Sequence, residues 1–371
     1  MTKLRVIKGQ GRRSHSQRVG PDRQAAKGPY IHLSNMPALA MILLASNENP
    51  LGMPESARRA AAAALQGAGN YPDSSGTALK HALSARLDVP ADWLVLGSGS
   101  SEILELAARV GVKPGEHVVY SQYGFVVYGQ AAAHAHARST VAPARDFGHD
   151  PDAMRAAVGE DTRLLFVANP NNPTGSFIEA GPLLAFLESV PPHVTVLLDE
   201  AYGEYLAPAQ RYDSIAWVRR FPNLIVARTF SKAYGLAGLR IGYGVAQHAL
   251  AARLNAQRPR FNVSTPAQAA AVAALADEAF LARSYQLNTV GRLRLEAGLH
   301  ELRLGSLPSA GNFVMVHVGE GRAVHARLLA AGVEVALLDS YGLPQWLRIT
   351  VGLPEQIEAV LAALRDHAPA R

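Results

Sequence analysis

The chain has 371 residues, 49% of them hydrophobic, no cysteine, and a formal charge of +6. That length suits a large domain plus a smaller one, each with its own core, and the lack of cysteine excludes disulfides, thiolate metal sites and a cysteine nucleophile. Eight of the 36 basic residues, but only one acid (Asp22), fall in residues 1–30, so the 28 basic and 29 acidic residues that remain nearly cancel and give the body no nucleic-acid character.

In chain order, residues 1–35 read as a basic, disordered tail, poor in aliphatic periodicity. The pair Arg12-Arg13 is followed by polar SHSQRVGPDRQ and not by an apolar leader segment, so no export signal is read and a cytoplasmic protein is expected. The run PALAMILLA (37–45) is too short to span a bilayer and reads as a strand or packing segment of the fold. Residues 36–70 are expected to pack with the smaller domain.

From Trp93 onward, seven short apolar runs alternate with helical patterns: WLVLGSG, EHVVYSQ, ARSTVAP, RLLFVANP, VTVLLDEAY, NLIVARTF and LRIGYGVA. Runs of this length bounded by turn residues fit strands buried on both faces, which predicts an α/β domain with a mostly parallel seven-stranded sheet over 71–258. After Pro259 the texture changes to long Ala/Leu/Arg helices, then GNFVMVHV, VEVALL, WLRITVG and a final helix, a smaller α+β domain over 259–371. No solenoid-length repeat is present.

In open α/β sheets, ligands bind where strand ends meet helix starts, and the chemically distinctive residues fall there. In GSGSSE (97–102) the glycines permit close backbone approach, and the N–H groups of Ser100, Ser101 and Glu102 can hold a phosphate. In NPNNPTG (169–175) the Asn-Pro steps enforce an extended-then-turn path and place Asn172 at a strand end. In LLDEAYGEY (197–205) Asp199 follows an apolar strand, where a carboxylate needs a cation or strong donor, and Tyr202 shares its face; a helix N-cap is the alternative reading of Asp199. In TFSKAYGLAGLRIG (229–242) stands Lys232, one of six lysines beside 30 arginines. A desolvated lysine amine can form a Schiff base and a guanidinium cannot, which explains why the arginine bias stops there. A phosphate cradle, an amide, a buried carboxylate, a tyrosine and a lysine at successive strand ends are what pyridoxal 5'-phosphate requires. No metal site is expected, since the histidines are scattered.

The ordered series NENP, NYPD, GSGSSE, NPNNPTG, DEAYGEY, RTFSKAYGLAGLRIGYG, FNVST, GNF and LRITVG, from about residue 40 to the C-terminus, resembles the fold-type I pyridoxal-phosphate aminotransferases, and within them the histidinol-phosphate aminotransferases and their paralogues. The resemblance implies that Lys232 carries the cofactor and moves a proton, that Asp199 pairs with the ring nitrogen, and that Asn172 and Tyr202 bond the ring oxygen. It implies that Ser100, Ser101, Ser231 and Arg240 hold the phosphate and that Tyr123 of SQYGFVVY stacks on the ring. Tyr71 of NYPD would reach the neighbouring site of a homodimer, while Arg348 clamps a substrate carboxylate and Asn47 and Asn312 line the substrate side. The implied partners are a small-molecule amino donor and a 2-oxo acid, with neither nucleic acid nor membrane. Where histidinol-phosphate enzymes carry an arginine, alignment places Ala336, with Arg260 as a candidate replacement cation. A related decarboxylase, resembling threonine-phosphate decarboxylase, would use nearly the same cofactor site. A non-catalytic regulator would need a helix-turn-helix that residues 1–35 do not provide.

Overall fold

A computed structural model describes residues 41–365; the basic tail and the first residues of PALAMILLA lie outside the described residues. The elements follow in the order β1 (Ile42–Leu44), α1 (Glu55–Ala64), α2 (Thr77–Leu87), β2 (Leu94–Gly97), α3 (Ser100–Gly111), β3 (His117–Ser121), α4 (Val126–His134), β4 (Arg138–Ala142), α5 (Pro151–Ala156) and β5 (Thr162–Ala168). Then come α6 (Ala180–Ser189), β6 (Thr195–Asp199), α7 (Ser214–Arg220), β7 (Leu224–Thr229), β8 (Gly242–Val245), α8 (His248–Gln257), α9 (Thr265–Ala276) and α10 (Glu278–Glu301). The last are β9 (Phe313–His317), α11 (Gly321–Ala330), β10 (Val333–Leu337), β11 (Trp346–Thr350) and α12 (Pro354–Arg365).

The seven apolar runs form one sheet in the order β2-β8-β7-β6-β5-β3-β4, parallel except for β8, which runs antiparallel to both neighbours. Because successive side chains point to opposite faces, the buried strands feed two cores. Leu165, Val167, Val196, Leu198, Leu224 and Val226 pack on one face with helices α2, α6 and α9. Leu164, Phe166, Leu197, Ile225 and Ala227 pack on the other with α3, α4 and α8. Burial on both faces holds for the central strands but not for β4, whose first four residues are exposed at the sheet edge, where there is no second neighbour to cover them.

The second sheet, β1-β10-β11-β9, is mixed: β1 joins β10 in parallel, and β11 is antiparallel to both its neighbours. It packs on α10, α11 and α12 through Leu295, Leu299, Val324, Leu328, Ile357 and Leu361. The expected boundary at 259 shifts. Helix α9 buries Ala267, Ala270, Ala271 and Ala274 in the core of the large sheet, and α1, expected with the smaller domain, adds Ala57 to that same core. Alanine-rich faces let α1 and α9 lie close together, so packing of small side chains, more than chain order, draws the division. Among the described residues, no helix is long and apolar enough to cross a membrane.

Candidate active site

Strands β5, β6 and β7 end side by side, with Ala168 opposite Asp199 and Asp199 opposite Ala227. Beyond these carboxyl ends lies a cavity of about 510 Å³. Its walls include Asn47, Ser100, Ser101, Asn172, Asp199, Tyr202, Ser231, Lys232, Arg240 and Arg348, ten of the thirteen expected site residues.

Asp199 is buried at the last position of β6. One carboxylate oxygen accepts the Tyr128 hydroxyl at 3.0 Å and the other the Ala201 N–H at 3.2 Å. Burial raises its pKa to about 6, against the lowering effect of those two bonds. A helix N-cap does not account for it, since the residues that follow form a turn and a short 3₁₀ segment. Tyr128, which sequence reading missed, is fully buried on α4 and stacks on Phe166 at 4.7 Å. The available signal was its place one helical turn beyond Phe125 in SQYGFVVY.

Lys232 lies beyond β7 and donates to the Ser46 carbonyl at 2.8 Å, with the Tyr202 ring 5.9 Å from its Nζ. Desolvation, then the charges of Arg348 and Arg240, lower its pKa to about 8. Folding therefore holds the ammonium form in an unfavourable place. The penalty is full below about pH 8 and vanishes above the ordinary lysine value of 10.5. Lys232→Met is accordingly expected to stabilise the cofactor-free protein at pH 7, with the gain closing as pH rises towards 10.5; denaturant midpoints at the two pH values check this, and an equal gap at both would contradict it.

The anion cradle forms at the start of α3. No side chain caps this helix, whose N-cap is Gly99. Gly99 has φ +80°, and a Cβ there would sit 2.2 Å from Nη2 of Arg240, so only glycine lets the guanidinium approach the helix start. A Cβ on Gly242 would lie 2.4 Å from the Ser100 nitrogen. Arg240, itself at φ 52°, donates to Ser231 Oγ at 3.2 Å and to the Ser98 carbonyl at 3.4 Å. Uncapped N–H groups, two serines and a guanidinium in one concavity match a phosphate dianion.

On the opposite wall, Arg348 of β11 donates to the Asn172 amide oxygen and, at 2.7 Å, to the Ala45 carbonyl. Asn47 Nδ2 donates to the Tyr202 hydroxyl at 2.9 Å, and burial pushes the pKa of that phenol up to about 12. The wall closes with Ala336, Leu337, Leu338 and Tyr341. Ala336 is paired in register with Arg348 on the neighbouring strand.

Three expected residues stand elsewhere. Tyr123 does not line the cavity: its ring stacks on Phe147 at 5.6 Å in a satellite cluster with Trp346, and Phe125, the residue preceding α4, faces the cavity instead. Asn312 is buried behind the site, where its amide donates to the Asn47 carbonyl at 3.0 Å; it positions the NENP loop and does not line the substrate side. Tyr71 is 81% exposed and stacks on Phe261 at 4.6 Å, outside the cavity of its own chain. Arg260 is also outside it, lying over the Phe261 ring at 5.0 Å. Among the described residues no cluster of metal-ligating side chains occurs.

Comparison with known proteins agrees with this geometry. The family model for aminotransferase class I and II matches residues 40–364. The chain is 54% identical over 364 residues to histidinol-phosphate aminotransferase 2 of Ralstonia nicotianae, covering 95% of this chain and 97% of that one. It is 54% identical over 368 residues to histidinol-phosphate aminotransferase 1 of Cupriavidus pinatubonensis, covering 96% and 98%. Among solved structures it superposes on histidinol-phosphate aminotransferase from Sinorhizobium meliloti in complex with pyridoxal-5'-phosphate with a TM-score of 0.82, at 31% identity and with 89% and 91% of the two chains covered. With its motifs in order, its strand-end lysine and carboxylate facing one cavity, and these relatives matched along nearly their whole length, the chain belongs to the class I and II aminotransferases.

Proposed function

We propose that the protein is a pyridoxal-phosphate-dependent transaminase that works as a homodimer, moving an amino group from an imidazole or aromatic amino donor, histidinol phosphate or an unphosphorylated relative, to a 2-oxo acid. The observation that carries this reading is the convergence of Lys232, Asp199 and the Arg240 cradle on one cavity. When bound, pyridoxal phosphate supplies an aldehyde that takes up the donor nitrogen and a ring that withdraws electrons from the donor Cα.

The chain's own residues set up that chemistry. The α3 N-terminus, Ser100, Ser101, Ser231 and Arg240 hold the phosphate. Asp199, kept in place by Tyr128 and the Ala201 N–H, would hold the proton on the ring nitrogen. Phe125 would cover the ring, and Asn172 and Tyr202 would bond its oxygen. Lys232, with an amine pKa of about 8, has a neutral fraction near neutral pH and takes the proton from the donor Cα. Arg348 binds the donor carboxylate by two parallel N–H bonds, a geometry lysine would not offer. Homodimer formation is supported by Tyr71, a large aromatic presented to solvent and left without a role in its own chain's cavity.

Substrate choice rests on the apolar wall at Ala336, Leu337 and Leu338. A donor phosphate placed there would lack a charge-assisted bond of roughly 1.5–3 kcal/mol. Ala336→Arg is therefore expected to raise kcat/KM for histidinol phosphate relative to unphosphorylated histidinol or phenylalanine by about 10- to 100-fold. Steady-state rates on the three donors check it; a wild-type enzyme with a strong preference for histidinol phosphate, unaltered by the substitution, would contradict the reading of this wall.

A further inference from the structure

The loop that carries Tyr71 is tied down at three points, two on the segment between α8 and α9 and one in the first turn of α9. Arg258 donates through one guanidinium nitrogen to the Ser74 carbonyl and through the other to Asn262 Oδ1. Gln268 Nε2 bridges the carbonyls of Asp73 and Val263, at 3.0 Å each. The Tyr71 ring lies on Phe261, with an interplanar angle of 18°. Phe261 itself adopts φ 62°. A bulky side chain in the left-handed region is strained and persists only where its surroundings enforce it. Here the enforcing contacts are Tyr71, Arg260 and the bonds made by the adjacent Asn262.

Asn262 also points the other way. Its Nδ2 donates to the Leu96 carbonyl at 3.2 Å and to Glu102 Oε2 at 2.6 Å, and that same carboxylate oxygen accepts the Ser98 N–H at 2.6 Å. Ser98 in turn offers its carbonyl to Arg240. A continuous chain of bonds thus runs from Ser74, through Arg258, Asn262 and Glu102, to Ser98 and the phosphate-binding guanidinium.

We infer that Arg258, Phe261 and Asn262 are positioning residues: they brace the Tyr71 loop against the anion cradle, so that the cradle of one subunit and the tyrosine offered to its neighbour are held in a single rigid unit. The inference rests on the reading of the cavity as a pyridoxal phosphate site. Its distinguishing consequence is selectivity for the phosphate. Pyridoxal and pyridoxal phosphate share the ring and the link to Lys232 and differ only in the group the brace supports.

Equilibrium dialysis of the full-length protein with each of the two compounds tests it. Asn262→Ala and, as a second variant that keeps the aliphatic stem, Arg258→Met should each weaken pyridoxal phosphate about tenfold while changing pyridoxal by less than about twofold. Equal losses for both compounds, or no loss for either in folded protein, would overturn the brace. A wild-type protein that binds pyridoxal as tightly as its phosphate ester would instead overturn the cofactor reading on which it rests.

Discussion

Lys232→Ala is expected to lower kcat for amino transfer by about 10⁴-fold or more, because one amine both carries the cofactor and moves the Cα proton. Lys232→Arg should be equally inactive: it keeps the cation beside Tyr202 and Ser46 but has no nucleophilic nitrogen that can be neutral at working pH. Borohydride reduction provides a separate readout, expected to fix pyridoxal phosphate covalently to the wild type and to neither variant. Retained turnover in either variant would show that this lysine is an ordinary buried cation whose lowered pKa reflects burial alone.

Asp199→Asn should lower kcat by on the order of 10²–10³-fold, the usual scale for removing one charge aimed at a developing transition state. Its effect on stability has the opposite sign. In the cofactor-free protein the Asp199 pKa is raised to about 6 from an ordinary 3.8, so the ionised carboxylate penalises folding fully above about pH 6 and not at all below 3.8. Asparagine keeps the shape and an acceptor for the Tyr128 hydroxyl while removing that penalty. The cofactor-free variant is therefore expected to melt above the wild type at pH 8 and level with it near pH 4. A variant that loses stability at pH 8 together with activity would mark Asp199 as a structural residue. The expected pair, lost turnover with gained stability, is the usual sign of a group placed for function.

Much of this site was legible in the sequence because its residues follow directly from strands. Asp199, Asn172 and Lys232 come at or just beyond the ends of β6, β5 and β7, and a strand's end is easily read from an apolar run and a turn. Glycine and serine ahead of a helical pattern are also ordinary N-caps, so the cradle was legible only together with the lysine, carboxylate and amide at the neighbouring strand ends. What escaped reading depends on three-dimensional choices of a few degrees. Tyr123 and Phe125 are two residues apart in one turn, and only the entry angle into α4 decides which ring faces the cavity and which packs on Phe147. Asn312 is adjacent to the site in space but turned towards the Asn47 carbonyl, an orientation set by the pairing of β9 with β11. Tyr128 was overlooked because its one signal, the turn from Phe125, says nothing of a partner on another strand; its role arises where its hydroxyl reaches the Asp199 carboxylate at the end of β6.

The same reasoning applies to the fold. Continuous apolar runs in the central strands, read as buried on both faces, announced both cores of the large sheet. The assignment of α9 did not follow from its sequence, since an alanine face fits either domain and only its partner α1 settles the choice.

The central claim, amino transfer through Lys232 in this cavity, is tested most directly by glutamate formation. Protein reconstituted with pyridoxal phosphate is mixed with 2-oxoglutarate and, in turn, histidinol phosphate, histidinol and phenylalanine, with Lys232→Ala in parallel. The account predicts glutamate from at least one donor, dependent on both substrates and absent in the variant. Carbon dioxide released without need of 2-oxoglutarate, or glutamate formed equally well by Lys232→Ala, would contradict it.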